Sequence, residues 1–178
     1  MQVFLIRNLK RALLATFFAF TIFAPASAFA AARTLYGYAW SSTVGWIHFD
    51  GATYGVQFDD TTGLVGGGPP TATTAYAWNP YVGYLSFNQS DMGNSCGTTG
   101  AMPCRVTYDP VLREFSGYAG FLLGFAPGST FNGEVSFKGP TYSVTLNTAT
   151  NELEGWAWGG DVVGWISMNC ANQGCGTS

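Results

Sequence analysis

The sequence predicts an all-β protein: an antiparallel meander of about eleven short strands, made of three-stranded repeats and closed as a barrel or folded as a sandwich. Three observations support this fold class. Short aromatic phrases recur along the chain in a fixed order. Within them, apolar and polar residues alternate with the period of two that is typical of strands. The segments between them are rich in Gly, Asn, Asp, Ser, Thr and Pro, which favour tight reversals.

Residues 1–30 are predicted to be a signal peptide, because basic residues precede an apolar run that ends in small residues. The apolar run is "ALLATFFAFTIFA", and "ASA" or "AFA" offers a cleavage site. The alternative is a retained membrane anchor, since residues 12–30 are nearly long enough to span a bilayer. Pro25 and the small residues favour cleavage. We therefore expect an exported protein, extracellular, at the cell surface or periplasmic, without membrane contact after cleavage.

Residues 31–178 are then expected to form a single repeat-built β domain. This length allows about two-thirds of the unfolded chain's surface to be buried. Three of the seven basic residues lie in the leader, which leaves four basic groups against ten acidic ones. A net charge of about −6 without a basic cluster argues against nucleic acid or anionic lipid as a partner.

Three sequence elements, A, B and C, define the repeat. Element A ("YAW") begins at Tyr38, Tyr76, Tyr118 and Trp156, and element B ("GWIxF") begins at Gly45, Gly83, Gly133 and Gly164. Element C is "YGVQFD" at Tyr54, "CRVTYD" at Cys104 and "YSVTLN" at Tyr142. The chain therefore reads ABC three times and then AB, in units of about 34–63, 64–112, 113–150 and 151–170. The third unit carries an insertion, "FLLGFAPGSTFN", between A and B.

The short linkers predict antiparallel hairpins, because parallel neighbours would need much longer crossovers. The repeats end on a B element, so the first A strand and the last B strand lack sequence neighbours. These two strands are expected either to pair with each other or to remain edges open to another molecule. A trefoil or a propeller-like array suits the repeat less well.

The period of two assigns the faces of the B strands. One face is apolar in every copy: Ile47 and Phe49, Leu85 and Phe87, Val135 and Phe137, Ile166 and Met168. If the first hairpin turns through "SSTV", Trp40 lies opposite Gly45 and Tyr38 lies opposite Ile47. This register predicts Trp40, Trp78 and Trp158 on the core face, each covering a strand glycine. It also requires bulges at Gly155 and Gly117 to bring Leu153 and its counterpart into the core.

The four cysteines form two close pairs in the exported part of the chain. In an oxidising compartment, the simplest interpretation is two local disulfides, Cys96 with Cys104 and Cys170 with Cys175. A four-cysteine metal site is the alternative, but the spacing does not match that of zinc sites. We therefore expect no metal and no cofactor.

The repeat resembles one found in predicted secreted surface proteins of uncultivated, small-genome bacteria. The shared pattern is "G(Y/W)AWSxxxGWIxF", a cysteine-containing loop and "YxVxxDxxTGxLxG", and it covers most of residues 34–170. The resemblance implies an exported or surface location and no catalytic activity. The third copy departs from it, with Gly120 and Glu134 in place of two Trp residues.

No catalytic constellation is evident, and we expect a protein that is not an enzyme. His48 is the single histidine, and no "GxSxG" nucleophile motif, phosphate loop or dinucleotide fingerprint occurs. Most carboxylates lie in turns, where capping of the backbone explains them. "DDTTG" is a faint match to a calcium-binding loop.

The B strands also direct aromatic residues to the face opposite the core. We predict Trp46, His48, Tyr84 and Trp165 as contacts for a ligand or partner, since exposed Trp and Tyr are favoured anchors. Alternatively, these rings pack under loops or against a second sheet layer. The sequence supports two functions: a structural or adhesive surface protein that associates with itself or another surface protein through sheet edges and exposed aromatics, or a soluble module that binds an extracellular glycan or other ligand.

Overall fold

The computed structural model describes residues 32–66, 75–93, 96–97 and 104–173, so the predicted signal peptide lies outside the described residues. Within these ranges the chain forms twelve short strands, two four-residue α-helices (Gln89–Met92 and Gly160–Val163) and two 3₁₀ turns (Leu122–Phe125 and Cys170–Gln173). In this part of the chain, no helix has the length and apolar character needed to cross a membrane. The strands are β1 (Ala32–Leu35), β2 (Tyr38–Ser41), β3 (Gly45–His48), β4 (Val56–Asp59), β5 (Tyr76–Asn79), β6 (Gly83–Ser86), β7 (Val106–Asp109), β8 (Glu114–Phe121), β9 (Glu134–Ser136), β10 (Val144–Asn147), β11 (Glu152–Trp158) and β12 (Trp165–Ser167).

Eight of these strands close into an antiparallel barrel. Each A element pairs with the B element that follows it, which gives four hairpins: hairpin 1 is β2–β3, hairpin 2 is β5–β6, hairpin 3 is β8–β9 and hairpin 4 is β11–β12. Neighbouring hairpins pair in sequence order through β3–β5, β6–β8 and β9–β11. The pairing of β12 with β2 completes the ring. The barrel, and not the sandwich, is therefore the correct alternative, and the first A strand pairs with the last B strand.

The C elements extend the barrel at one end. In β8, residues 114–117 pair with β7 while residues 118–120 pair with β9, so the C strands lie beyond the B strands along the same A strand. Strand β11 repeats this arrangement with β10 and β12. Strand β4 forms a small separate sheet with β1. Together these strands form a cap over one end of the barrel.

The core follows the repeat. Each hairpin contributes one alanine from its A strand and two larger residues from its B strand, an alternation of small and large side chains that suits a narrow barrel. The buried alanines are Ala39, Ala77, Ala119 and Ala157. The larger residues are the eight that the period of two assigned to the core, and all are buried. The cap adds Val56, Phe58, Val106, Tyr108, Phe115, Val144 and Leu146.

The predicted face of the A-strand tryptophans is wrong. Trp40 lies opposite Trp46, and Ala39 lies opposite Ile47, one residue away from the predicted register. The hairpin turns through three residues, since Ser41 pairs with Gly45, and not through the four residues of "SSTV". A shift of one residue moves every side chain to the other face of a strand. Trp40, Trp78 and Trp158 consequently share the outer face with the B-strand rings.

Local chemistry selects the three-residue loop. The Ser41 hydroxyl oxygen accepts the backbone N–H groups of Thr43 (3.1 Å) and Val44 (3.2 Å). Gly45 follows with a φ of +78°, the left-handed conformation that ends this type of hairpin loop. Asn79 repeats the role of Ser41 in hairpin 2 by accepting from Tyr81 and Val82. The predicted contact between Trp40 and the strand glycine is retained on the outer face, because the Trp40 ring lies 3.8 Å from where a Cβ on Gly45 would be.

Gly117 and Gly155 have the irregular backbone that the sequence predicted, but for a different reason. Their φ values are +92° and +86°, and each lies where the A strand passes from the cap into the barrel. Because the tryptophans face outward, Leu153 and Ala157 already point to the same, inward face of β11. No bulge is therefore needed to bring Leu153 to the core. Each glycine instead allows close approach of a carbonyl group, that of Arg105 or Ser143, which a Cβ would strike.

The face assignment predicts unequal costs for two adjacent substitutions in β3. Ile47→Ala should lower the free energy of unfolding by about 2–5 kcal/mol, because it leaves a cavity in the barrel. Trp46→Ala removes a larger side chain but an exposed one, and should cost about 1 kcal/mol of ring contact. Urea unfolding followed by far-ultraviolet circular dichroism measures both. A larger loss for Trp46→Ala would contradict the observed register.

Gly155→Ala should destabilise the protein more than Gly128→Ala, although both glycines have a similar positive φ. The left-handed conformation costs an alanine roughly 1–2 kcal/mol at either position. At Gly155 the new methyl group also strikes the Ser143 carbonyl, which adds about 1–3 kcal/mol, whereas the space around Gly128 is open. Thermal unfolding of the two variants compares them. Equal losses would mean that the close approach at Gly155 is unimportant.

Candidate ligand-binding surface

The outer face of the barrel presents a pair of aromatic rings on three of the four hairpins. Across each hairpin, an A-strand ring contacts a B-strand ring, with centroids 4.8 Å apart for Trp40 and Trp46. The distances are 4.6 Å for Trp78 and Tyr84, and 4.9 Å for Trp158 and Trp165. Such tilted and edge-to-face pairs stabilise a sheet by about 0.5–1.5 kcal/mol each beyond the area that they bury. The pairs therefore hold the B-strand rings in fixed positions.

The three aromatic B-strand residues predicted as contacts are exposed on this face. Trp46 is 52%, Trp165 is 44% and Tyr84 is 39% exposed. His48 is half-buried, with its ring 4.3 Å from that of Tyr38. These residues belong to hairpins 1, 2 and 4, so they surround the barrel and do not form one common site.

Hairpin 4 has the most developed site. A cleft of about 640 Å³ lies beside Trp165, and we call it the Trp165 cleft. It is lined by Ser42, Thr141, Tyr142, Trp156, Trp165 and Asn172. The Trp165 ring lies 5.0 Å from that of Tyr142 and 6.5 Å from that of Trp156, both nearly perpendicular to it. Three aromatic rings thus meet at one cleft, with polar groups around them.

A tight turn places Tyr142 at the cleft. The Gly139 N–H group donates a hydrogen bond to the Tyr142 carbonyl oxygen (2.9 Å), which folds residues 139–142 back on themselves. The Tyr142 ring then lies over Gly139, at the position that a Cβ on that residue would occupy. A glycine is therefore required three residues before the tyrosine.

The polar groups of the cleft are all uncharged. Hydroxyl groups come from Ser42 and Thr141, and an amide comes from Asn172. The Asn172 side chain donates to the Gly155 carbonyl, and its backbone N–H donates to the Asn169 side chain (3.2 Å), which fixes the amide at the wall of the cleft. Aromatic surface with a few placed polar groups is typical of small-molecule sites.

Hairpin 3 is different, because its own chain covers part of its outer face. Gly120 and Glu134 replace the ring pair, and a Cβ on Gly120 would strike Met92 and Phe125. Phe125 belongs to the insertion in the third unit, and Met92 packs with the buried pair Cys96 and Cys104. The Glu134 carboxylate accepts the Gly97 N–H (3.1 Å). Gly120 and Glu134, which depart from the repeat, thus provide space for Met92 and Phe125 and a hydrogen bond for Gly97.

The Cys96–Cys104 disulfide is present, as predicted. Both cysteines are fully buried and pack with Met92. Cys170 lies in the last 3₁₀ turn, while Cys175 lies outside the described residues. The second pairing stays a prediction.

The turn carboxylates act on the backbone. The Asp59 side chain accepts the N–H groups of Thr61 (2.8 Å) and Thr62 (2.9 Å), and these hydrogen bonds lower its pKa. The Asp109 side chain accepts two backbone N–H groups in the same way, in the turn between β7 and β8. Within the described ranges, no three His, Cys, Asp or Glu side chains come together in a way that could hold a metal ion.

Sequence reasoning identified Trp165 but missed its neighbours. The repeat pattern places Tyr142 at the start of a C element and Trp156 at the start of an A element, and it singles out neither residue as a contact; the same holds for Ser42, Thr141 and Asn172. A usable signal was present: "GATY" at 51–54 and "GPTY" at 139–142 share the Gly-Xaa-Thr-Tyr pattern that forms the tyrosine-placing turn.

Replacing Cys96 and Cys104 together with alanine should lower the free energy of unfolding by about 2–3 kcal/mol, because it frees a short loop in the unfolded chain. The barrel should keep its circular dichroism spectrum, since the disulfide lies outside the strand ring. Urea unfolding without reductant measures the change. An unchanged midpoint would show that the disulfide does not contribute to the free energy of unfolding.

Comparison with known proteins gives no relative. The chain matches no protein-family model. No curated protein is significantly similar to it. No solved structure is significantly similar to it either.

Proposed function

We propose that this chain is an exported, non-enzymatic protein that attaches to extracellular or surface glycans by binding neutral carbohydrate in the Trp165 cleft. The proposal depends on one observation: three aromatic rings and three uncharged polar side chains line the same cleft. Aromatic surface beside uncharged hydrogen-bonding groups suits the reversible binding of a ligand. No nucleophile or general base is needed for this role.

The chemistry of sugars fits this lining. A pyranose ring has an apolar face of C–H groups, which stacks on Trp and Tyr, and a rim of hydroxyl groups, which needs hydrogen-bonding partners. Trp165 and Trp156 provide apolar surface, while Ser42, Thr141 and Asn172 provide donors and acceptors. The absence of charge among these lining residues favours neutral sugars over acidic ones.

An exported location is part of the proposal. It is supported by the basic and apolar pattern of residues 1–30 and by the Cys96–Cys104 disulfide, since disulfides persist in oxidising compartments. The acidic net charge of the rest of the chain directs the choice of ligand away from nucleic acid.

Self-association is the second candidate function. One observation favours it: within the described residues, β1 pairs with β4 alone, so its other edge is available to a strand of another molecule. Barrel closure, however, gives each of the eight barrel strands a partner on both sides. We therefore place carbohydrate binding by the exposed rings first and assembly through an edge second.

The test is binding to a panel of neutral hexasaccharides: cellohexaose, chitohexaose, laminarihexaose and mannohexaose. The protein without residues 1–30 should bind at least one of them by isothermal titration calorimetry. A variant with Trp46, Tyr84 and Trp165 all replaced by serine should lose at least about tenfold in affinity, because exposed aromatic anchors carry most of the binding energy at such sites. Tyr81→Ser is the matched control, since Tyr81 is 80% exposed but lies in a hairpin turn.

No binding by the parent protein, or equal binding by the triple variant, would contradict carbohydrate recognition. Light scattering and electron microscopy of the same samples examine the second candidate. Filaments or sheets that form without sugar would favour assembly, and their loss in the triple variant would assign that role to the rings.

A further inference from the structure

A second aromatic cleft lies on hairpin 2, beside Tyr84. This Tyr84 cleft has a volume of about 280 Å³ and is lined by Thr53, Tyr54, Tyr76, Tyr84 and Leu122. The Tyr84 ring lies 5.9 Å from the rings of both Tyr54 and Tyr76, each steeply inclined to it. As at Trp165, one central B-strand ring is flanked by an A-strand ring and by a ring from the preceding loop.

The two clefts are related position by position through the repeat. Tyr84 and Trp165 are the second residues of their B elements, and Tyr76 and Trp156 begin their A elements. Thr53 and Tyr54 correspond to Thr141 and Tyr142, just before the C strands. Leu122 and Ser42 each follow the end of the A strand that pairs with the lining B strand. Every residue that lines the smaller cleft thus has a counterpart in the larger one.

The same turn places the loop tyrosine in both clefts. The Gly51 N–H group donates to the Tyr54 carbonyl oxygen (3.0 Å), as Gly139 does to Tyr142. The Tyr54 ring likewise lies where a Cβ on Gly51 would be. The chain therefore builds the tyrosine wall twice with one four-residue pattern.

The other two hairpins lack this arrangement. On hairpin 3, Cys104 takes the C-element position of the loop tyrosine, and Met92 and Phe125 pack over the A-strand position of the missing ring. Hairpin 1 precedes the first C element, so no Gly-Xaa-Thr-Tyr turn comes before it in the sequence. The complete set of lining residues therefore occurs on hairpins 2 and 4.

Hairpins 2 and 4 lie on opposite sides of the barrel. The ring order is hairpin 1, 2, 3 and 4, closed by β12 with β2, so one hairpin separates them in either direction. We propose that the Tyr84 cleft is a second carbohydrate site and that one chain therefore crosslinks two glycan chains. This inference rests on the proposed function of the Trp165 cleft.

The polar groups of the second site are mainly phenol groups. The Tyr76 hydroxyl donates to the Asp91 carboxylate (2.7 Å), and Asp91 lies at the repeat position of Asn172. Burial raises the pKa of the Tyr76 phenol, and its hydrogen bond to Asp91 raises it further. Burial also raises the pKa of the Tyr54 phenol, with a smaller contribution from the negative charge of Asp50. Both phenols are therefore protonated at neutral pH. The Tyr54 hydroxyl can donate to a sugar hydroxyl, whereas the Tyr76 hydroxyl, whose proton is shared with Asp91, can accept from one. The smaller volume predicts that this site accommodates fewer sugar residues than the Trp165 cleft.

Calorimetric stoichiometry tests the inference with the trisaccharide of whichever hexasaccharide binds, a ligand too short to join opposite sides of the barrel. The parent protein should bind two trisaccharides per chain. Tyr84→Ala and Trp165→Ala should each bind one, and the double variant should bind none. Tyr84→Phe keeps the ring and should bind two. Trp46→Ala is the control, because it removes an exposed ring that lines neither of the two clefts. Circular dichroism confirms that each variant is folded.

Agglutination of beads coated with the matching polysaccharide gives a second readout. The parent protein should agglutinate them, whereas each single-cleft variant should bind the beads without agglutination. One trisaccharide per parent chain, unaffected by Tyr84→Ala, would overturn the second site and leave the proposed function intact. No trisaccharide or bead binding by the parent protein would overturn both.

Discussion

The structure depends on the register of the A–B hairpins. In all four, the small alanine of the A strand lies opposite the buried aliphatic residue of the B strand, so the alanine points inward and its neighbours point outward. An eight-stranded barrel has a narrow interior, which is filled by side chains of alternating size. Four alanines and eight larger residues fill it here. The same register brings two rings together on the outer face of hairpins 1, 2 and 4, so interior packing and surface chemistry have one origin.

Much of the fold was readable from the sequence. The B strands alternate strictly, and their apolar face is the core face in all four copies. The A strands were ambiguous, because "YAW" offers either an alanine or two rings to the interior, and hydrophobicity alone favours the rings. What decides is space: the large B-strand residues already occupy the interior. Loop length decides the same question, but a four-letter turn such as "SSTV" does not reveal whether its first serine still belongs to the strand.

The candidate site was partly readable, for a related reason. Trp46, Tyr84 and Trp165 lie on a face opposite an unmistakable core face, so their exposure followed from parity. Tyr54 and Tyr142 could not be placed that way, because each precedes its strand and is positioned by a turn. Asn172 enters the cleft from a 3₁₀ turn after the last barrel strand, and no strand periodicity describes such a position. Contacts between side chains of different repeat units depend on the order of the hairpins around the barrel, which the sequence left open.

The seam of the barrel has a consequence for how the protein is made. Strand β12 pairs with β2, and the Ser41 hydroxyl donates to the Val163 carbonyl, a buried bond between residues 122 positions apart. The first strand of the ring must therefore wait for the last hairpin to be synthesised before it gains its second neighbour. Pairings of such high sequence separation form slowly and leave strand edges unpaired in the meantime. A protein built from local hairpins thus completes its maturation in one late, long-range step, and truncation near its C-terminal end would leave an open sheet whose two free edges are prone to aggregation.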